Sequence, residues 1–194
     1  MSHADAQAVL DFWFGAEGSA EFGQVRGEWF RKEADFDTQI AQRFGAVVQI
    51  ALAGGLAHWK VDTPGRLARI IVLDQFTRNM FRDTRRAFAG DALALADAHE
   101  IVAARLDAAL RPEQRVFAYL PFEHDEALAS QDQSVQLFGA LALESPALAT
   151  MLDYAHKHRA VIVRFGRFPH RNAILSRVSS AEELEFLQQP GSRF

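Results

Sequence analysis

Apolar residues recur along this chain at steps of three and four nearly everywhere, and no stretch sustains the alternation of a half-buried strand. The pattern predicts an all-α protein. A first helix over about residues 4–14 carries Val9, Leu10, Trp13 and Phe14 on one side and stops at Gly15, after which Gly15, Gly18 and Gly23 mark a loop. From Asp35 to Leu52 the set Phe36, Ile40, Phe44, Val47 and Ala51 forms one face of an amphipathic helix that Gly54-Gly55 ends. The segment Gly65 to Phe81 follows Pro64 and is hydrophobic nearly all round. Leu67, Ile70, Ile71 and Phe81 form one stripe, while Val72, Leu73, Phe76 and Met80 fill most of the opposite side. That predicts a central, buried helix.

Further helices are expected near 91–107, 112–128, 131–143, 147–164 and 180–188. Ser130 with Gln133, and Ser179 with Glu182, have capping-box spacing, and Ser145-Pro146 reads as an N-cap followed by a first-turn proline. The aromatics Trp13, Phe14, Trp29, Phe30, Phe36 and Phe44 fall at helical spacings and read as core. Eight or so short antiparallel helices with brief loops imply a bundle or an α-solenoid. No clean 34-residue self-similarity is present, although Ala87–Ala109 has the composition of one helix of a degenerate repeat. No linker or low-complexity tract divides the chain, so a single domain over 1–194 is expected.

Composition narrows the chemistry. The 194 residues include no Cys, which removes zinc fingers, iron–sulfur clusters, thiol nucleophiles and disulfide frameworks, and favours a reducing, cytoplasmic setting. A domain of this size removes roughly 70% of its unfolded surface from water and needs no such staple. The first twenty residues lack a basic region and carry Asp5, Asp11 and Glu17, so they do not read as a secretory signal. No uncharged apolar run has the length to span a bilayer. A formal net charge of −4 argues against non-specific nucleic-acid binding, which needs clustered basic excess. Neither a membrane nor a nucleic acid is therefore an expected partner. Arg outnumbers Lys 18 to 3, and arginine is the side chain of buried ion pairs and planar recognition.

Three constellations carry candidate chemistry. In Leu73-Asp-Gln-Phe-Thr-Arg-Asn79, Asp74 and Arg78 are four apart on an apolar stripe, where charges must be paired. They either lock helices together or, with Asn79, hold a ligand. Arg82, Arg85 and Arg86 follow, and at a helix end they read as dipole-complementing surface charge. In Leu120-Pro-Phe-Glu-His-Asp-Glu126, Pro121 removes the partner of the Phe117 carbonyl, which predicts a kink or a new helix start beside Glu123, His124 and Glu126. Glu123 and Glu126 share a helical face, either as an acid–base or cation-binding pair or as solvated surface carboxylates. The third constellation is His156-Lys-His158-Arg159 with Arg164-Phe-Gly-Arg-Phe-Pro-His-Arg-Asn172. Two-residue spacing points His156 and His158 about 200° apart on a helix, so no shared metal is expected. Arg159 falls on the stripe of Leu148, Leu152, Ala155 and Ile162, as a candidate buried arginine. Pro169 suits the start of a short helix whose His170, Arg171 and Asn172 form either an anion cradle or a capped structural turn. Nucleophile elbows, dinucleotide fingerprints, P-loops and zinc-protease motifs are absent.

These segments resemble a bacterial family, domain-of-unknown-function family 924. The likeness runs through Val9-Leu-Asp-Phe-Trp-Phe-Gly15, Trp29-Phe30, Leu73 to Asn79, Tyr119 to Glu126, Arg164 to Asn172, and Phe186-Leu187 with Pro190 and Phe194. The resemblance implies a TPR-like α-helical fold and carries no activity or cofactor with it. One departure is Asp125, where the family pattern has Ser after Phe-Glu-His.

Three functional readings follow. Polar groups converging inside an apolar helical shell describe a pocket for a small anionic ligand, bound by Asp74, Arg78, Asn79, Arg164, Arg171 and Asn172. An enzymatic, hydrolase-type version uses Glu123 as general base and His124 or His170 as proton shuttle. A TPR-like array instead binds a peptide or protein partner in a groove.

Overall fold

In the computed structural model, residues 3–192 are described, and every regular element among them is helical. The helices fall into two compact units: residues 3–82 with 86–121, and residues 83–85 with 122–192.

The first unit contains α1 (His3–Phe14), α2 (Ala34–Leu52), α3 (Thr63–Ile70), α4 (Thr77–Met80), α5 (Asp91–Ala103) and α6 (Pro112–His124) as far as Pro121. Its core is aromatic. Trp13 packs edge-on to Phe76 at 5.6 Å and to Phe117 at 5.4 Å, and Phe44 lies 5.0 Å from Phe76 between ring centroids. The Trp29 indole lies 4.9 Å from Phe117 and donates its N–H to the Trp13 carbonyl. Phe30, expected in this core, is 51% exposed because its short 3₁₀ turn turns only Trp29 inward. Gly15 ends α1 at φ 83°, a conformation that favours glycine, and a Cβ there would meet the Phe22 amide at 2.7 Å.

The central helix is buried on all sides from Leu67 to Thr77, as its composition requires. It is not uniform, however, because Ile71–Phe76 winds as a π-helix between α3 and α4. Two local features accompany the wide turn. The Thr77 hydroxyl donates to the Leu73 carbonyl at 2.7 Å, and Gly90 lies so close to that carbonyl that a Cβ would approach it to 2.1 Å. Apolar periodicity gives no sign of such a segment, which packs against both α2 and α5.

The second unit holds the last residues of α6, then α7 (Leu128–Glu144), α8 (Ala149–Phe165), the 3₁₀ turn Pro169–Arg171 and α9 (Ala181–Phe186). The α7 and α8 helices pair as a hairpin, and Phe138, Leu141, Ala155, Val161, Ile162 and Phe168 fill the buried side. Pro121 does not break α6, which runs on to His124. The Gln131 side chain, fully buried, donates its amide to the carbonyls of Glu123 at 2.7 Å and Asp125 at 2.6 Å and so satisfies the end of that helix.

Two capping assignments shift. The box at α9 is Ser180 with Glu183, not Ser179 with Glu182, because the Ser179 hydroxyl accepts from Asn172 and Glu182 pairs with Arg164. Ser130 caps nothing. Helix α7 begins earlier, at Leu128, and the Ser130 hydroxyl donates to Asp125 at 2.6 Å.

Candidate functional site: a buried histidine and arginine cluster

In the first unit, the charges of the Leu73–Asn79 motif are held by protein partners. Asp74 is fully buried, its carboxylate 2.9 Å from the Arg78 guanidinium, and the Gln75 amide donates to it at 2.5 Å. Arg78 also forks onto Asp91 at 2.9 and 3.1 Å and donates to the Asp74 carbonyl. Asn79 donates to Asp37 at 2.7 Å, and the same carboxylate receives Arg82. Every hydrogen bond here joins one helix to another or closes a turn. Asp74, Arg78 and Asn79, expected as ligand-binding residues, thus engage α2, α5 and the π-helical segment. A second buried pair, Arg69 with Asp97, extends the same style of bonding between α3 and α5.

The second unit uses its polar residues differently. Glu123 is 3% exposed and places a carboxylate oxygen 3.2 Å from Nδ1 of His158, itself 6% exposed. The same Nδ1 lies 2.9 Å from the Tyr154 carbonyl. A carbonyl only accepts, so Nδ1 carries the hydrogen and the lone pair is left on Nε2. Burial drives the His158 imidazole down to about 3, and the charges of His124, Arg171 and His170 add to the shift. His170, half-buried, is held at about 4, first by burial and then by Arg171. Both rings are therefore neutral at pH 7. Arg171 is 7% exposed and lays its guanidinium 4.5 Å over the Phe168 ring, which also packs against both imidazoles at 5.5 and 5.6 Å.

Around this cluster stands a rigid frame. Arg177 forks onto Glu126 at 2.6 and 2.9 Å and donates to Asn172 and to the Phe168 carbonyl. Glu126 also accepts from the Phe168 amide at 2.7 Å. Burial opposes ionisation of Glu126, but the Arg177 and Phe168 hydrogen bonds outweigh it and hold the carboxyl below its ordinary value. Asn172, fully buried, completes the clamp by donating to Ser179. Gln131 Oε1 and Ser134 Oγ, one turn apart on α7 and fully buried, have no hydrogen-bond partner among the described residues.

The third and second constellations of the sequence thus meet, and Glu123, His124, His170 and Arg171 belong to one neighbourhood. Besides Asp74, Arg78 and Asn79, two more expected ligand-binding residues stand outside it. Arg164 is exposed, stacked on Phe165 and paired with Glu182 at 2.8 Å. Asn172 is bound within the loop clamp rather than aimed at a ligand. Arg159 is not buried either. It pairs with the half-exposed Asp132 at 2.6 Å, and His158 takes the inward position. His158 lies three residues after Ala155 and four before Ile162, both buried, so the apolar stripe itself carried the signal. Gln131 and Ser134 had none, being ordinary polar residues on a helix. Among the described residues no group of His, Asp and Glu side chains is arranged to hold a metal ion.

Residues 9–191 match the family described as bacterial protein of unknown function, DUF924. The chain belongs to this family. A solved structure of a protein of unknown function from Agrobacterium tumefaciens, ATU0120, is 36% identical, covers 97% of this chain and 99% of its own, and superposes with a TM-score of 0.83. No curated protein matches the chain. The Asp125 carboxylate receives the Ser130 hydroxyl at 2.6 Å. No helix among the described residues is long and apolar enough to cross a membrane.

Proposed function

We propose that the protein binds a small anionic ligand at the cluster of the second unit, with Arg171 supplying fixed positive charge and His170 a proton. One observation carries this reading: two imidazoles are kept neutral beside a buried guanidinium that acts on both. A structural ion-pair lock needs no neutral imidazole. Burial is the larger cause of the low His170 value and the Arg171 charge the second, so an anion seated beside Arg171 opposes the second and favours proton uptake by His170. The unpartnered Gln131 oxygen, whose amide already holds the Glu123 carbonyl, is an acceptor and suits a hydroxyl or N–H of the ligand rather than its anionic group. Leaving such a group unmade costs about 1–3 kcal/mol, which calls for a compensating partner.

The test is ligand-dependent stability. Phosphate, sulfate or a small carboxylate should raise the melting temperature by mass action, reaching about 2.7 kcal/mol at a hundredfold excess over Kd, while chloride at matched ionic strength does much less. Calorimetry in buffers of different ionisation enthalpy should record proton uptake, and affinity should rise as pH falls from 7 to 5. Arg171→Gln should abolish both effects. A screen without any anion-specific shift removes this reading and directs attention to a peptide partner.

The Glu123–His158 contact favours a second reading, in which the bound anion is a hydrolysable substrate, Glu123 serves as base and His124 or His170 carries the proton. Turnover of a panel of phosphate and carboxylate esters, lost in Glu123→Gln while anion binding persists, distinguishes it.

A further inference from the structure

A cleft of about 630 Å³ opens on the first unit and is lined by none of the residues of the histidine and arginine cluster. Its apolar side comes from Leu10, Phe14 and Leu110, all buried, with Phe22 and Val61 nearer the mouth. Val61 is 71% exposed, a large aliphatic side chain left in water beside a concave surface. The charges on the rim are unequally committed. Arg66 is engaged by Glu100, while Arg111 bonds Glu113 at 2.5 Å and stacks 4.1 Å over Phe22. Asp11, by contrast, receives only the Gln7 amide from its own helix, and Glu17 has no hydrogen bond or ion pair among the described residues. The cations of the cleft are therefore neutralised within the protein, and Asp62 caps α3 by accepting from the Gly65 amide, whereas Asp11 and Glu17 meet no cation among the described residues.

We propose that this cleft binds an organic ammonium compound, a protonated amine carried on an apolar body about the size of one aromatic ring. The apolar body covers Leu10, Phe14, Phe22 and Val61, and the ammonium faces Asp11 and Glu17. An anion is disfavoured by the same two carboxylates. A neutral ligand gains the apolar contact but not the charge, and two partly exposed ion pairs together are worth about tenfold in affinity. The inference is independent of the anion site, since it rests on other residues and another unit.

The experiment is isothermal titration of the whole protein with 2-phenylethylammonium, 2-phenylethanol and 3-phenylpropionate, which share a ring and differ in charge. The amine should bind about tenfold more tightly than the alcohol, and the carboxylate more weakly still. In the Asp11→Asn, Glu17→Gln double variant the amine should fall to the level of the alcohol while the alcohol is unchanged. The melting temperature should stay within error of the parent, because neither carboxylate makes an ion pair. Val61→Lys, at an exposed position, should weaken the amine more than the alcohol, because both lose an apolar contact and only the amine meets a like charge. Equal affinity for amine and alcohol, preference for the carboxylate, full retention of amine binding in the double variant, or no amine binding at 10 mM would each overturn the proposal.

Discussion

The motif at 73–79 and the motifs that meet around His158 look alike in sequence, since both set charged residues on apolar helical stripes, yet they solve burial in opposite ways. Asp74 and Arg78 are each given opposite charge: Arg78 takes two carboxylates, Asp74 and Asp91. His158 and His170 stay uncharged, because burial and the Arg171 guanidinium hold them far below their ordinary range. The first arrangement is complete as it stands and ties helices together. The second contains groups whose state a ligand or a proton can change. Charge on an apolar stripe is thus no marker of function by itself; the marker is a buried titratable group kept in its neutral form.

Several measurements would break or sharpen that contrast. The largest effect is expected from Asp74→Ala, which takes from Arg78 one of its two carboxylates and from the buried Gln75 amide its acceptor, and should cost about 3 kcal/mol in urea unfolding. Arg171→Gln should cost clearly less without ligand, and equal losses would erase the distinction between the two regions. Gly90→Ala should cost about 1–3 kcal/mol, since its Cβ meets the Leu73 carbonyl at 2.1 Å and must displace α5 from the π-helical segment. Unchanged stability there would mean that the wide turn does not depend on this close approach.

The pH dependence comes next. The folded His158 titrates at about 3 against an ordinary 6.5, so the unfolded chain binds the proton first. Stability is therefore full above pH 6.5 and declines as pH falls toward 3, by about 2 kcal/mol between pH 6.5 and 5 for one such group. His158→Asn should flatten that slope, and a slope retained in full would place the acid sensitivity elsewhere. The smallest effect belongs to Arg164→Ala, which removes an exposed pair with Glu182 and should shift stability by less than about 0.5 kcal/mol.

Much of this was legible in the residues. Periodicity located the helices: the pattern over Asp35–Leu52 became Ala34–Leu52, and the all-round hydrophobic segment became the buried centre of the first unit. The family resemblance held over residues 9–191. Spacing also settled that His156 and His158 diverge, one exposed and the other buried. The candidate site was legible only in part. Glu123, His124, His170 and Arg171 could be named, but Asp74, Arg78, Asn79 and Asn172 looked equally suited to a ligand, and only their partners distinguish them.

The sequence by itself determined what local chemistry determines, namely which residues are helical, which faces are apolar, and where a buried charge demands an answer. Those follow from 100° of rotation per residue and from the cost of desolvation, and neither needs knowledge of what lies across the interface. Tertiary structure decided how each demand is met. Asp91 lies 13 residues after Arg78, Arg177 51 residues after Glu126, and His158 35 after Glu123, so no spacing rule joins them. It also brought Gly90 against the Leu73 carbonyl in the π-helical turn, and it decided the charge of His158, which depends on how much water its neighbours exclude.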